Sequence, residues 1–460
     1  MRKLLLTTST LASIAALASA QEFQPRMGEP VRGLDAAQLA AFEAGLDEFT
    51  AIIDKVDGLG PIFNDSSCAQ CHTTPAVGGS STRTVIRYGK SAQGGLPFDP
   101  LAHTGGSLLQ SSALIEVLPQ HFDTIPAEAD VIIQRQTPHS FGMGLVEAIE
   151  TADIQARELT PPNGFVSGRV HWATPVEGGP AVPGRFGWKG GVPTTLTFSA
   201  DASVNEMGLT NRFFPTENAP QGDLALLALY DTVADPEDST VPGQGRIDRQ
   251  TDFQRLLAPP PQSPRSGMSG EQVFDSIGCS ACHTRDYTTG SAPESALSGV
   301  VIQPYSDYLL HDMGSLGDGI VEGDAAETEM STRALWGMAA RGAFLHDGRA
   351  TGGTFEQNAT SAILWHDGEA DFARQNFNGL SQGDKDALMA FLGSLGRAEF
   401  DFDEDGKVSE FDWFFLEPML TGPAPATPFD ADDPAAITDI DADGDFDLED
   451  FLQLQMAFTG

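Results

Sequence analysis

Cysteine is scarce in this chain: 460 residues contain only four. Cations are scarce too, with 26 Lys and Arg against 65 Asp and Glu, a net charge of −39. That balance argues against nucleic acid or an anionic membrane as partner and fits a basic redox partner or a saline habitat. Beyond the N-terminus no segment approaches ~18 uninterrupted apolar residues, so no membrane span is expected.

The few cysteines all fall in one kind of motif. SCAQCH holds Cys68, Cys71 and His72, and GCSACH holds Cys279, Cys282 and His283. One four-thiolate zinc site would use all four sulfurs, but it leaves the histidine after each pair unexplained, as does a redox dithiol. A c-type haem needs all three residues at this spacing: two thiols add to the porphyrin vinyl groups and the histidine becomes the proximal iron ligand. The contexts PIFNDSSCAQCH and EQVFDSIGCSACH place Phe63 and Phe274 five positions before the first cysteine, so the sequence carries an internal repeat of two haem-binding units. Ser269 and Gln272 stand in capping-box spacing ahead of the second.

The N-terminus has Arg2 and Lys3, an apolar run from Leu4 to Leu17, and Ala18-Ser19-Ala20 before Gln21. This reads as a secretory signal peptide, which predicts an exported protein, periplasmic or extracellular, where c-type haem is attached in bacteria. Glycine (49) and proline (30) are abundant, so long irregular loops are expected. Leu39, Phe42, Leu46, Phe49 and Ile53 recur at helical spacing after Asp35, predicting a helix that ends near Gly58. Residues 78–222 are broken by Gly and Pro and give few periodic runs. A helix is expected over Asp223 to Val233 and another from the Ser381 and Asp384 cap through Leu395, with a linker at APPPQSPRSG from Ala258.

The tail contains DFDEDGKVSEFD and DIDADGDFDLED. Asp401, Asp403, Asp405 and Asp412, then Asp439, Asp441, Asp443 and Asp450, occupy positions 1, 3, 5 and 12 of calcium loops, with Gly406 and Gly444 at position 6. Lys407 and Asp445 fill position 7, where the main-chain carbonyl is the ligand. Asp at position 12 in place of Glu makes the loops similar to dockerin loops, although Glu410, Phe411, Leu448 and Glu449 differ from the small polar contacts dockerins use for cohesin.

Between about Gly58 and Arg397 the chain resembles the bacterial di-haem cytochrome c peroxidase superfamily, and more closely its di-haem oxidoreductase branch. The resemblance rests on GPIFNDSSCAQCH, RQTPHSFGMGLVEAI, GRFGWKGGVPT, NEMGLT, YSDYLLHDMG, ALWGMAARGAFLHDGRA and AILWHDGEA, in that order. It implies a mainly α fold: two cytochrome c-like haem domains with long irregular loops, here with a small helical dockerin-like tail. The expected division is 1–20 signal peptide, 21–257 N-terminal peroxidatic domain, 265–399 C-terminal cytochrome c domain and 400–460 calcium-binding region.

By the same resemblance, hydrogen peroxide reacts at the N-terminal haem while the C-terminal haem relays electrons from a small cytochrome or copper protein. Glu206 in NEMGLT matches the distal acid-base, Trp188 is a neighbour of the haem environment, and Arg185 is a group for a propionate or for charge in the pocket. FLHDGRA, with His346, Asp347 and Arg349, matches a peroxidase segment. His366 stands where the peroxidases carry an axial methionine, and a His/His iron has a lower potential than a His/Met one. Met313 and Met338 are alternatives there. Opposite His72 the candidates are His103, His139, Met143 or an open position. Two other readings stand beside the peroxidase: a di-haem oxidase acting on a thiol or protein substrate, and a non-enzymatic electron carrier.

Overall fold

The computed structural model describes residues 24–93, 96–117, 123–158, 166–235, 245–262, 268–402, 408–422, 429, 432–439 and 444–457. The signal peptide and the calcium-loop residues Asp403, Asp405, Gly406, Lys407, Asp441 and Asp443 lie outside them. The described residues are 38% helical and 13% strand. The fold is therefore mixed α/β with several small sheets, and the expectation of a mainly α protein built of cytochrome c domains is overturned. The cause lies in the Gly- and Pro-broken stretches. Lacking helical periodicity, they fold back as short antiparallel pairs rather than irregular loops. The largest sheet has three strands, with Thr84–Gly89 in the centre between Leu108–Leu109 and Val131–Gln136. β-Branched residues in TVIRYG and VIIQRQ suit this pleated, half-buried position.

The helices form two similar pairings. Ala36–Thr50 starts at Asp35, whose carboxylate accepts from the Ala37 and Gln38 amides, with Gln38 completing a capping box. It ends at Thr50, short of Gly58, and Ile53 joins Leu59, Met207 and Leu209 in a small cluster instead. Its partner is Arg246–Leu256. The two backbones meet at Gly45, where a Cβ would lie 2.4 Å from the Arg249 carbonyl oxygen and 2.8 Å from the Phe253 Cβ. The second pairing joins Ser269–Ile277 to Gln382–Ser394, and Gly270 makes the same close approach, 2.0 Å from the Ala387 carbonyl. Ser269 is already helical there, and the side chains of Ser269 and Gln272 form no capping box. Ser381 caps Gln382–Ser394 as expected, and Asp223 caps Leu224–Tyr230.

One apolar core holds residues from both sides of the expected linker. Met143, Ile149, Val170 and Phe186 pack with Tyr287, Ile302, Tyr308 and Trp336. A buried charge cluster does likewise. Arg135 donates from Nε and Nη2 to Asp318 Oδ2 (2.9 and 2.7 Å) and from Nη1 to Glu322 (2.7 Å), while the fully buried Lys189 sits 3.1 Å from Asp318 and donates to the Ala326 and Glu329 carbonyls. Removing one partner from such a cluster leaves charge buried and uncompensated. Arg135→Met is expected to cost about 3–5 kcal/mol in denaturant unfolding of the holoprotein. A loss within ~1 kcal/mol would show that the cluster relaxes around the change.

The tail has a core of its own, in which Val408 and Phe446, both eighth in their loops, are buried with Phe400, Leu416 and Leu454. Asp412 is fully buried and accepts from the Phe402 and Ser409 amides, and Asp439 accepts from Gly444. Carboxylate oxygens of Asp445, Asp447 and Asp450 lie within 4.8 Å of one another. No described helix is long and apolar enough to cross a membrane.

Candidate haem and peroxide sites

Each Cys-x-x-Cys-His motif forms one short turn. Cys68–Cys71 is a four-residue helix and Cys279–Ala281 a 3₁₀ turn; both bring the histidine round beneath the sulfurs, with the His72 amide bonding the Cys68 carbonyl and the His283 amide the Cys279 carbonyl (3.0 Å each). The four thiols form no common metal-binding group among the described residues. Burial pushes the Cys68 and Cys279 thiols up to about 12, so both are protonated in the free chain.

The three histidines expected to hold iron share one arrangement. His72 Nδ1 donates to the Gly79 carbonyl (3.1 Å), His283 Nδ1 to that of Tyr305 (2.9 Å) and His366 Nδ1 to that of Ala362 (2.8 Å). Because a carbonyl only accepts, the proton sits on Nδ1 and the lone pair on Nε2. Burial lowers the pKa of all three, His72 and His283 to about 4, so the rings are neutral. That is the state a metal-bound imidazole requires.

Around the second motif, Cys279, Cys282, His283 and His366 line one cavity of ≈ 200 Å³, together with Met313, Met338 and His346. His366 follows directly on the helix Phe355–Trp365, whose Thr354 capping box fixes its start. Phe274 packs against His283 (6.2 Å) and Phe391 (5.5 Å). In the first unit these contacts belong to Phe49, against His72 (5.8 Å) and Phe253 (4.8 Å). Phe63, the match by sequence spacing, packs instead with the cluster of Ile53 and Met207.

Near the first motif stands Glu206, on the last turn of Thr195–Met207. Asn64 donates to its carboxylate (2.7 Å), and the Asn64 amide to its carbonyl (2.7 Å). Its charge is felt at Cys71. Burial raises the Glu206 pKa, against the lowering effect of Asn64 and Arg87, while the residue keeps partial solvent contact. It is thus a carboxyl poised to hold a proton beside the first motif.

Other expected residues fall elsewhere. Trp188 lines the second cavity, stands edge-on to His346 (6.4 Å) and donates to the Gln136 carbonyl (2.9 Å). Arg185 turns two donors to the Pro183 and Ile149 carbonyls (2.9 and 2.7 Å). His103 is paired with Glu128 (2.7 Å) at the surface and is no ligand candidate for His72. Asp347 and Arg349 pair with each other.

Sequence reading missed His311. It is buried, with Nε2 on Asp307 (3.0 Å), Nδ1 on Glu369 (2.9 Å), and Cys282 Sγ at 3.8 Å. The signal was present in YSDYLLHDMG, where Asp307 and His311 are four apart, but their pairing comes from an irregular bend, with Tyr308 at φ 58°, rather than from a helix. The two carboxylates occupy both ring nitrogens, so His311 steadies the Cys282 turn rather than offering a lone pair.

A protein-family model described as "Di-haem oxidoreductase, putative peroxidase" matches residues 125–395. The chain belongs to the di-haem oxidoreductase family. The match spans Trp188, Glu206, the second motif and His366, and begins after Cys68, Cys71 and His72. No curated protein matches the chain. Membership implies haem cofactors and an oxidoreductase function. The residues fit such a group: a cavity walled by apolar side chains, two neutral thiols, and neutral histidines with Nε2 lone pairs.

Proposed function

We propose that this di-haem oxidoreductase is an exported peroxidase that reduces hydrogen peroxide to water at the first site, with electrons relayed through the second. In this reading Cys68 and Cys71, and Cys279 and Cys282, form thioethers to two haems c. His72 and His283 are the proximal ligands and His366 is the second ligand at the C-terminal site. The electron donor is a small cytochrome or copper protein. Bound haem iron supplies the redox chemistry, and the overall change, H₂O₂ + 2 e⁻ + 2 H⁺ → 2 H₂O, needs a group that moves protons between the two oxygens.

Glu206 carries the reading. Its carboxyl sits by the first motif, oriented by Asn64 and shifted by burial toward its protonated form. In its ionised form, made more basic by the raised pKa, it can take a proton from one peroxide oxygen and return it to the leaving one, so that water departs rather than hydroxide. Trp188, in the wall of the second cavity, supports a relay between the sites. Steady-state peroxide consumption by the holoprotein with a reduced small cytochrome as donor tests the proposal. Absence of turnover, with both irons six-coordinate and low-spin after half-reduction, sinks it in favour of an electron carrier.

The same proposal assigns calcium to the tail, supported by the buried Asp412 and Asp450 and the converging carboxylates of Asp445, Asp447 and Asp450. Chelation by EGTA is expected to speed proteolysis within 400–460 and leave the haem spectrum unchanged. Equal cleavage with and without calcium removes the ion from the account.

A further inference from the structure

Beside the second cavity lies a smaller one of ≈ 50 Å³, and the two share Trp188, Arg333, Arg341 and Phe344 as walls. Arg185, His139 and Tyr308 also line the smaller space, and no Asp or Glu does among the described residues. Three guanidinium groups therefore enclose one small volume without a carboxylate. Arg185 Nε, Arg341 Nε, His139 Nδ1 and the Tyr308 hydroxyl are buried with no hydrogen-bond partner. Arg333 donates to main-chain carbonyls, at Gly187 (2.9 Å) and Arg185 (3.3 Å), and lies over the Trp188 ring (5.9 Å). Burial lowers all three arginines, and Arg333 helps to push Arg341 down to about 10, which still leaves it charged at neutral pH. Glu147 and Glu150 act on Arg185 from outside the cavity, but among the described residues no carboxylate acts on Arg333 or Arg341, whose charge facing the cavity calls for an anion.

We propose that Arg333 and Arg341, with Arg185 behind them, form a chamber for the propionate carboxylates of the haem anchored at Cys279 and Cys282. This rests on the di-haem reading above. The shared chemistry is a buried carboxylate-type anion, and the geometry favours the cofactor as its source. Thioethers at Cys279 and Cys282 fix the vinyl edge of a porphyrin, which leaves the two carboxylates on the opposite edge of the same cavity. Arg333 and Arg341 are walls of that cavity as well as of the chamber. Their planar forks suit paired carboxylate oxygens.

The test uses the holoprotein. In Arg341→Gln, covalent haem content measured as pyridine haemochrome should be unchanged. The midpoint potential of the second haem should fall and become pH-dependent where the wild type is flat, because a propionate without its cation titrates nearer the ordinary carboxylate range. Arg341→Lys should restore most of the shift. Unchanged potentials and unchanged propionate bands in resonance Raman, in both Arg341→Gln and Arg333→Gln, overturn the proposal. So does a wild-type potential that moves with chloride concentration, which would mark a free anion in the chamber. If the Gln variants do not fold, wild-type propionate bands that stay fixed into acid pH support the chamber, and bands that titrate like a solvent-exposed carboxyl overturn it. Absence of covalent haem in the wild type overturns the di-haem reading itself and the chamber with it.

Discussion

Glu206→Gln should slow peroxide turnover by about 10²–10⁴-fold while leaving both haems attached, the range expected when a positioned proton-transfer group is lost. Gln keeps the size and can keep the contact with Asn64, which now donates 2.7 Å to the Glu206 carboxylate, so lost packing is a poor explanation of a large effect. Stability gives a second readout. The folded-state pKa of Glu206 is raised, chiefly by burial. Its contribution is therefore fully present below the unfolded value and is lost as pH rises through the raised one. The wild type should lose stability relative to Glu206→Gln across that window, in denaturant titrations at stepped pH. Unchanged turnover would remove Glu206 from the mechanism, whatever the stability curves show.

His366→Ala should convert the second iron from low-spin to high-spin, seen by electron paramagnetic resonance, and His366→Met should raise its midpoint potential. The expectation follows from a ring whose Nδ1 is tied to the Ala362 carbonyl at 2.8 Å and which lines the same cavity as His283. Met313 and Met338 line that cavity too. A low-spin signal that survives in His366→Ala would pass the ligand role to one of them.

Local chemistry was legible in the sequence where a few residues close in the chain do the whole task. The Asp35 and Ser381 caps and both Cys-x-x-Cys-His turns are of this kind, since covalent spacing alone sets their geometry. The fold class was not legible. Thr84–Gly89 and Val131–Gln136 pair across more than forty residues, and short strands between glycines and prolines carry too few alternations to announce a sheet. The repeat misled in one detail: Phe63 has the spacing of Phe274, but Phe49, from a helix, takes the place against the histidine. The arginine chamber was invisible for a related reason. Arg185 lies far along the chain from Arg333 and Arg341, and only the fold brings the three onto one small cavity that no Asp or Glu lines among the described residues.

The main-chain carbonyls at His72 and His283 would, if these rings hold iron as proposed, make the two proximal ligands alike. A main-chain carbonyl is a weak acceptor and leaves imidazole character intact, whereas a carboxylate in that place would draw the ring toward imidazolate and donate more electron density to the metal. Both rings have carbonyls, from Gly79 and Tyr305. In the proposed di-haem reading these two carbonyls would tune both proximal imidazoles alike, so a difference between the sites would come from what else faces each of them: the Glu206 carboxyl near the first motif and the His366 imidazole in the cavity of the second.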